Sequence, residues 1–461
     1  MYENKKTLAF LGVALVLAIL AFVTAPRQIT PQAFSDQGEP FFPGFTDPNS
    51  ATTLEIVSYD PGTGSASPFK VTFDGGKWII PSHNNYPADA KDRLAKTAAG
   101  IIDLRRDDYR SDNVADYEAF GVIDPLEVSA TGLTGRGTRV TVKGTDGNVL
   151  ADFIVGNAVA GMSGARFVRV PSEKRVYAVK TNVDLSGRFE DWVEKDLLKV
   201  SKGQIDQVIL KDYSINERTL SVDQRDNLEL TLKDGVWKAN RTGGDQIVDS
   251  VTMQGLLTAL DELTLAGVRT KPAGLSQSLQ ASSGQHQITQ QDVASLQSKG
   301  FYLSRDGQLL SNEGELKVRT KQGVLYTLRF GEVLYGTGLS VSAGADDGAQ
   351  SQSGGAANRY LFVTANFDVS GLPEPKRPKD ELYKNKPDSL LSEADKANKT
   401  LGEAYDRWVR DVESARKTVD DLNARFADWY YVISQASFDK LHLSRKDLVV
   451  SKKKSEGKTT G

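Results

Sequence analysis

The 461 residues contain no cysteine, only three histidines (His83, His286 and His442) and only three methionines. The first absence excludes disulfides, thiolate zinc sites, iron–sulfur clusters, a cysteine nucleophile and a lipoprotein anchor. The histidines lie in separate segments with no His-x-x-x-His or Glu-x-x-His spacing, so a histidine-rich metal centre has no basis, and each reads as a surface or satisfied core residue. A surplus of one charge is missing too: 57 basic residues stand against 60 acidic ones, a net charge of -3, and nucleic acid, which calls for a basic face, is not indicated as a partner. Phosphate loops are absent. Gly457-Lys458-Thr459 ends like one, but position 452 is Lys, and Gly336 and Gly338 are followed by Val341 where a third glycine belongs. Gly161-Met162-Ser163-Gly164 lacks the Gly-x-Ser-x-Gly spacing of a nucleophile elbow. The neighbours Asp107-Asp108, Asp346-Asp347 and Asp420-Asp421 point apart on a strand or helix and read as solvated faces. No catalytic, cofactor-binding or metal-ligating residue is assigned, no cofactor is expected, and the chain reads as a non-enzyme.

What is present begins with a long apolar run. Thr7 to Ala25, TLAFLGVALVLAILAFVTA, carries no charge and as a helix matches the roughly 30 Å hydrocarbon layer. Lys5 and Lys6 precede it and only Arg27 follows closely, which orients the N-terminus inward. A cleaved signal peptide is the rival, since Val23-Thr24-Ala25 resembles a cleavage site; Pro26 and the length of the run favour an uncleaved anchor. Residues 1–6 are then a cytoplasmic end, 7–25 a transmembrane helix in the lipid bilayer, and 26–52, with Pro31, Pro40, Pro43 and Pro48, an extended tether.

Self-comparison of the remainder gives an α+β fold class: two tandem copies of an antiparallel sheet with a covering helix, over 53–204 and 205–370. Trp237 answers Trp78, Gly300 answers Gly121 and Gly331 answers Gly156. The matched tryptophans read as equivalent core positions. Alternating valines such as Val140 and Val142 give strands with one buried face, while Asp74-Gly75-Gly76, Asp146-Gly147 and Asp234-Gly235 mark turns. Helical spacing is expected from Pro87 to about Leu104 and from about Val251 to Leu265, with a Ser/Gln-rich loop over Lys271–Gln291.

In the second copy NRYLFVT leads away from its partner strand WYYVIS, which begins only at Trp429, so 371–428 is an insertion before the returning strands of 429–450. Its first part, GLPEPKRPKDELYKNKP, is an extended arm. From Asp388 there is no proline, and Leu401, Tyr405, Trp408, Val412, Val419, Leu422, Phe426 and Trp429 follow a heptad seam. An arm of ~17 residues at ~3.1 Å matches ~40 helical residues at ~1.5 Å, which predicts a stalk that goes out extended and returns as one long helix. A helical hairpin broken near Gly402 is the alternative. The eight seam residues are the candidate partner-binding surface; packing against the chain's own arm or sheet is the other reading. Lys452–Lys454 open a basic tail, 451–461, read as disordered.

KWIIPSHNNYPADA (Lys77–Ala90), FGVIDP (Phe120–Pro125), FIVGN (Phe153–Asn157) and RFVRVPSEKRVYAV (Arg166–Val179) resemble domain-of-unknown-function family 4340. The resemblance implies a bacterial envelope protein, single-pass in the cytoplasmic (inner) membrane with its bulk periplasmic or extracytoplasmic, accompanying ABC-transporter components of the gliding-motility auxiliary type. It brings no catalytic residues. The expected function is an accessory or adaptor protein whose protein partner is of the ABC-transporter type, or a second copy through the stalk. The alternative is an envelope ligand-binding module for glycan or peptide, or a structural one, marked by a groove between Val200 and Val236.

Overall fold

The computed structural model describes residues 12–21, 36–62, 64–127, 132–216, 218–219, 221–280, 288–304, 307–336, 338–344 and 356–452. It is a mixed α+β structure with large antiparallel sheets and one long helix. Of the Thr7–Ala25 run only 12–21 is described, as helix; the rest of it, the first part of the expected tether and residues 453–461 of the expected tail lie outside the described residues. No helix among the described residues is long and apolar enough to cross a membrane.

In chain order the first half carries β1 (Thr53–Asp60), β2 (Ser65–Asp74), β3 (Lys77–Ile80), β4 (Tyr86–Pro87), α1 (Lys91–Ile102), β5 (Asp108–Ser111), α2 (Tyr117–Phe120), β6 (Thr138–Lys143), β7 (Val149–Ala158), β8 (Ala165–Arg169) and β9 (Val176–Lys180). The second half carries β10 (Ile205–Asn216), β11 (Ser221–Lys233), β12 (Val236–Ala239), β13 (Gln246–Val248), α3 (Ser250–Asp261), β14 (Gly267–Thr270), α4 (Ala273–Gln280) and α5 (Gln290–Gln297). After these come β15 (Phe301–Leu303), β16 (Leu309–Ser311), β17 (Glu315–Thr320), β18 (Val324–Tyr335), α6 (Gly338–Ser342), β19 (Ala357–Phe367), α7 (Glu393–Ala427), β20 (Trp429–Ser434), α8 (Gln435–Leu441) and β21 (Val449–Ser451). Two compact units form, Met1–Ala66 with Leu94–Leu185, and Ser67–Arg93 with Ser186–Gly461.

In the first unit the strands run β1-β6-β7-β8-β9-β5, all antiparallel. Register places Leu54 opposite Val142 and Ile56 opposite Val140, and these in turn opposite Ala151 and Phe153. Because side chains alternate along a strand, this ladder gathers one apolar face, and all six side chains are buried. Leu94, Ala98 and Ile101 form the buried stripe of α1. That helix starts four residues later than the sequence suggests, since Pro87 pairs with Ile79 as the end of a short edge strand. Proline lacks the N–H that a ladder needs and suits an edge as well as a first helical turn. The described part of the tether is anchored: Phe41 and Phe45 are buried, and Phe41 meets the Tyr177 ring edge-on.

In the second unit the sheet order is β12-β11-β10-β17-β18-β19-β20-β14. Its last six strands repeat the succession β1-β6-β7-β8-β9-β5, and the β11-β12 hairpin answers β2-β3. The matched glycines do matching work. Gly121 (φ +70°) and Gly300 (φ +78°) sit in the left-handed region after α2 and α5. Gly156 and Gly331 lie where the β7–β8 and β18–β19 registers shift, and a Cβ on them would overlap the Phe120 and Lys299 carbonyls. Each bulge is closed by an arginine of the next strand: Arg166 Nε donates to the Gly156 carbonyl at 2.9 Å, and Arg359 Nη1 to the Gly331 carbonyl at 2.8 Å.

The Lys271–Gln291 segment differs from its expected loop, because Ala273–Gln280 is helical and packs against α7. Leu275 joins Leu296, Phe301, Phe362 and Tyr430 in one buried cluster. Tertiary burial of a single leucine stripe outweighs the modest helix propensity of its Ser/Gln neighbours.

Candidate functional site

The insertion separates β19 from β20, which pair directly: Asn358 lies opposite Ser434 and Leu361 opposite Tyr431. Between them α7 is one unbroken helix of 35 residues, ~52 Å long at ~1.5 Å per residue. Its start is fixed by a capping box in which Ser392 and Asp395 satisfy each other's backbone N–H groups. Lys386 Nζ lies 2.8 Å from the Asp395 carboxylate. Together with the Ser392 hydrogen bonds it holds that carboxyl down at about 2.

The arm runs antiparallel to the first half of the helix. Trp408 Nε1 donates to the Leu372 carbonyl at 2.8 Å, Arg377 lies over the Tyr405 ring, and the Lys379 N–H donates to Asn398 Oδ1. Tyr383 packs against Gly402, where a Cβ would overlap its hydroxyl. Helix continuity through Gly402 follows: the missing side chain is the seat of the Tyr383 ring, so glycine here makes room and does not break the helix. The second half packs on the sheet. Asn423 Oδ1 accepts from the Ala365 N–H at 2.9 Å and Asn423 Nδ2 donates to the Ala365 carbonyl at 2.8 Å. One carboxamide thus stands in for a neighbouring strand just beyond the residues that β20 pairs. At the C-terminal end the buried Lys271 amine donates to the Phe426 carbonyl at 2.9 Å and lies 3.9 Å from the Phe362 ring centroid. Burial holds its pKa well below the ordinary lysine value.

The seam residues divide accordingly. Leu401, Tyr405, Trp408 and Val412 are half-buried, whereas Val419, Leu422, Phe426 and Trp429 are buried. The hydrogen bonds, ion pairs and ring contacts described for Glu393–Trp408 go to the arm or to the helix itself. Leu382 and Leu390, on the arm near the start of α7, are 60% and 71% exposed.

Where the helix crosses from arm to sheet, it borders a cleft of about 410 Å³. Asp411, Ser414, Ala415 and Thr418 recur at three- and four-residue steps and so share one face of α7. Thr320, Lys321 and Gln322 from the β17–β18 turn, with Lys199 and Gln204, supply further polar lining, and Val324, Tyr326 and Leu372 complete it. Tyr326 lies opposite Val318 and Ala365 on the apolar sheet face. It is 3% exposed, yet its hydroxyl bonds to no described residue. Burial, helped by the Asp196 carboxylate and opposed by Arg425, pushes the phenol up to about 12, so it stays a neutral donor. Of the span Val200–Val236, where a groove was expected, Gln204 lines this cleft and β10 to β12 do not.

Tyr326, Asn423 and Lys271 went unseen in the sequence because each matters through a partner 40 or more residues away. Of the three histidines, His286 lies outside the described residues, and among the described residues no group of His, Asp and Glu could hold a metal ion. His83 is buried between Ser82 and Ser342, with Nε2 2.9 Å from the Ser342 hydroxyl and the ring stacked on Phe189. Trp78, expected as core, is half-buried beside Phe73, and Trp237 is half-buried as well.

No curated protein and no solved structure matches the chain. Residues 78–278 do match a family model, that of the domain of unknown function DUF4340, in keeping with the resemblance carried by Lys77–Ala90 and the strands that follow.

Proposed function

We propose that this chain is a non-enzymatic accessory protein, held at a bilayer through residues 7–25 with its bulk extracytoplasmic, that docks a protein partner with its arm–helix hairpin. The observation that carries this reading is the insertion between two paired strands, whose arm end keeps its polar contacts to itself and leaves Leu382 and Leu390 exposed. A single exposed leucine is ordinary, but two beside a helix whose described polar contacts stay within the arm and helix favour an apolar contact surface. The half-buried Leu401, Tyr405, Trp408 and Val412 extend it along the helix. Membrane attachment is supported by the described helix at 12–21, in which Val13, Leu15, Val16, Leu17, Ile19 and Leu20 are all more than half exposed. The resemblance supplies the class of partner, an ABC-type transport component.

The test is a photoreactive side chain at position 390 in cells, compared with Leu382→Asp/Leu390→Asp in detergent-extracted complexes. A single protein that crosslinks at 390 and is lost in the double variant, with an unchanged melting temperature, is the expected result. A crosslink only to further copies of this chain would replace the adaptor reading with self-association. Equal recovery of every co-purifying protein by both forms would remove the hairpin as the docking element.

A further inference from the structure

We infer that the cleft beside Asp411 binds a neutral, polyhydroxylated small molecule of mono- to disaccharide size. Its volume of about 410 Å³ falls inside the roughly 300–1,000 Å³ range of small-ligand sites. The lining discriminates by charge. An anion meets the Asp411 carboxylate, which pairs with no described cation. The two lysines keep their charges, Lys321 Nζ donating to the Gly203 carbonyl at 2.9 Å and Lys199 Nζ lying 3.7 Å from Glu194, but Asp411 and Glu194 offset them and leave the surroundings close to neutral. What stays open is a set of uncharged donors and acceptors plus one carboxylate: the hydroxyls of Tyr326 and Ser414, the amide of Gln322, and Asp411. A hydroxyl both donates and accepts, so a polyol satisfies such a mixture where an ion does not.

The Tyr326 hydroxyl gives the site its specificity. The Tyr326 side chain is 3% exposed, and its hydroxyl, bonded to no described residue, faces the cleft, where water or a ligand supplies the partner. Lining the cleft, it recovers its hydrogen bond from whatever fills the space. A ligand lacking a matching acceptor leaves the donor unpaired and is rejected.

The experiment is saturation-transfer NMR on the detergent-solubilised full chain with glucose, N-acetylglucosamine, maltose and trehalose, each at millimolar concentration. Glycylglycine and inorganic phosphate are run alongside. At least one sugar should give a signal, and Asp411→Asn and Tyr326→Phe should each weaken it about tenfold, the loss of roughly one good hydrogen bond. Asp411 is exposed on the helix, so Asp411→Asn keeps the fold, and an unchanged melting temperature verifies this. Silence from all four sugars overturns the inference, as does a sugar signal indifferent to both variants. Binding of glycylglycine or phosphate alone, lost in Asp411→Asn, would assign the cleft to a charged ligand and overturn it equally.

Discussion

Gly402→Ala is ordinarily a stabilising change in the middle of a helix, by about 1 kcal/mol from the lost backbone freedom of glycine. Here the sign should reverse. The new methyl group would occupy the seat of Tyr383, a ring only 8% exposed and pressed against the helix at that residue. Displacing the ring forfeits roughly 3 kcal/mol of buried aromatic surface, so the net effect is a loss of about 2 kcal/mol concentrated in the arm. In a Tyr383→Ala background the seat is already empty, and the same Gly402→Ala change should stabilise by its intrinsic ~1 kcal/mol. Trypsin reads the arm directly, since Lys379 and Lys384 become cleavable when it detaches, and thermal unfolding reads the global effect. Cleavage at those lysines should accelerate in Gly402→Ala and be no faster in the double variant than in Tyr383→Ala alone. If Gly402→Ala stabilises in both backgrounds and leaves the arm as protected as in the parent, the ring is not what the glycine accommodates.

Two further outcomes follow from buried polar groups. His83, 1% exposed, has its pKa lowered from 6.5 to about 4, by burial first and by the nearby Arg269 second. The unfolded chain therefore takes up a proton between these values that the folded one refuses, and stability should fall by about 3 kcal/mol as pH drops from 6.5 to 4. Urea unfolding across that window should show a flatter slope in His83→Gln, and an identical slope in both proteins would argue that the imidazole is not held neutral. Asn423→Leu strips both hydrogen bonds from Ala365 and should cost about 2–3 kcal/mol. Hydrogen exchange at the Ala365 amide should quicken, and unaltered protection there would show that the carboxamide is not its partner.

The antiparallel sheets were legible because alternation at Val140 and Val142, or at Leu228 and Leu230, has no helical interpretation. The long helix was legible because a proline-free run with a heptad seam leaves few alternatives. Short elements were not. β5 and β14 have four residues each, too few for a period, and exist because the last strand of each sheet has an open edge to pair. The site was the least readable part. Tyr326 looks like any core aromatic of a strand; its place in a cleft emerges only when α7, about 85 residues further on, arrives beside it. Asn423 looks like a solvated helix position, and its role is set by where β20 stops pairing with β19. Nor do the compact units coincide with the sequence copies, since Ser67–Arg93 clusters with the later residues.

The separation of β19 from β20 also governs the order in which this sheet can assemble. β8 and β9 are about six residues apart in the chain, β19 and β20 about 60, which adds roughly 2 kcal/mol of closure entropy to the later pairing. During synthesis β19 waits with an open edge, a template for any passing strand, until Trp429 is made. Nucleating α7 against its arm first would draw the two ends together and shorten the effective loop. On this account the hairpin is a folding clamp as well as a surface, and lesions that loosen it should surface first as slow refolding and aggregation, before any fall in equilibrium stability.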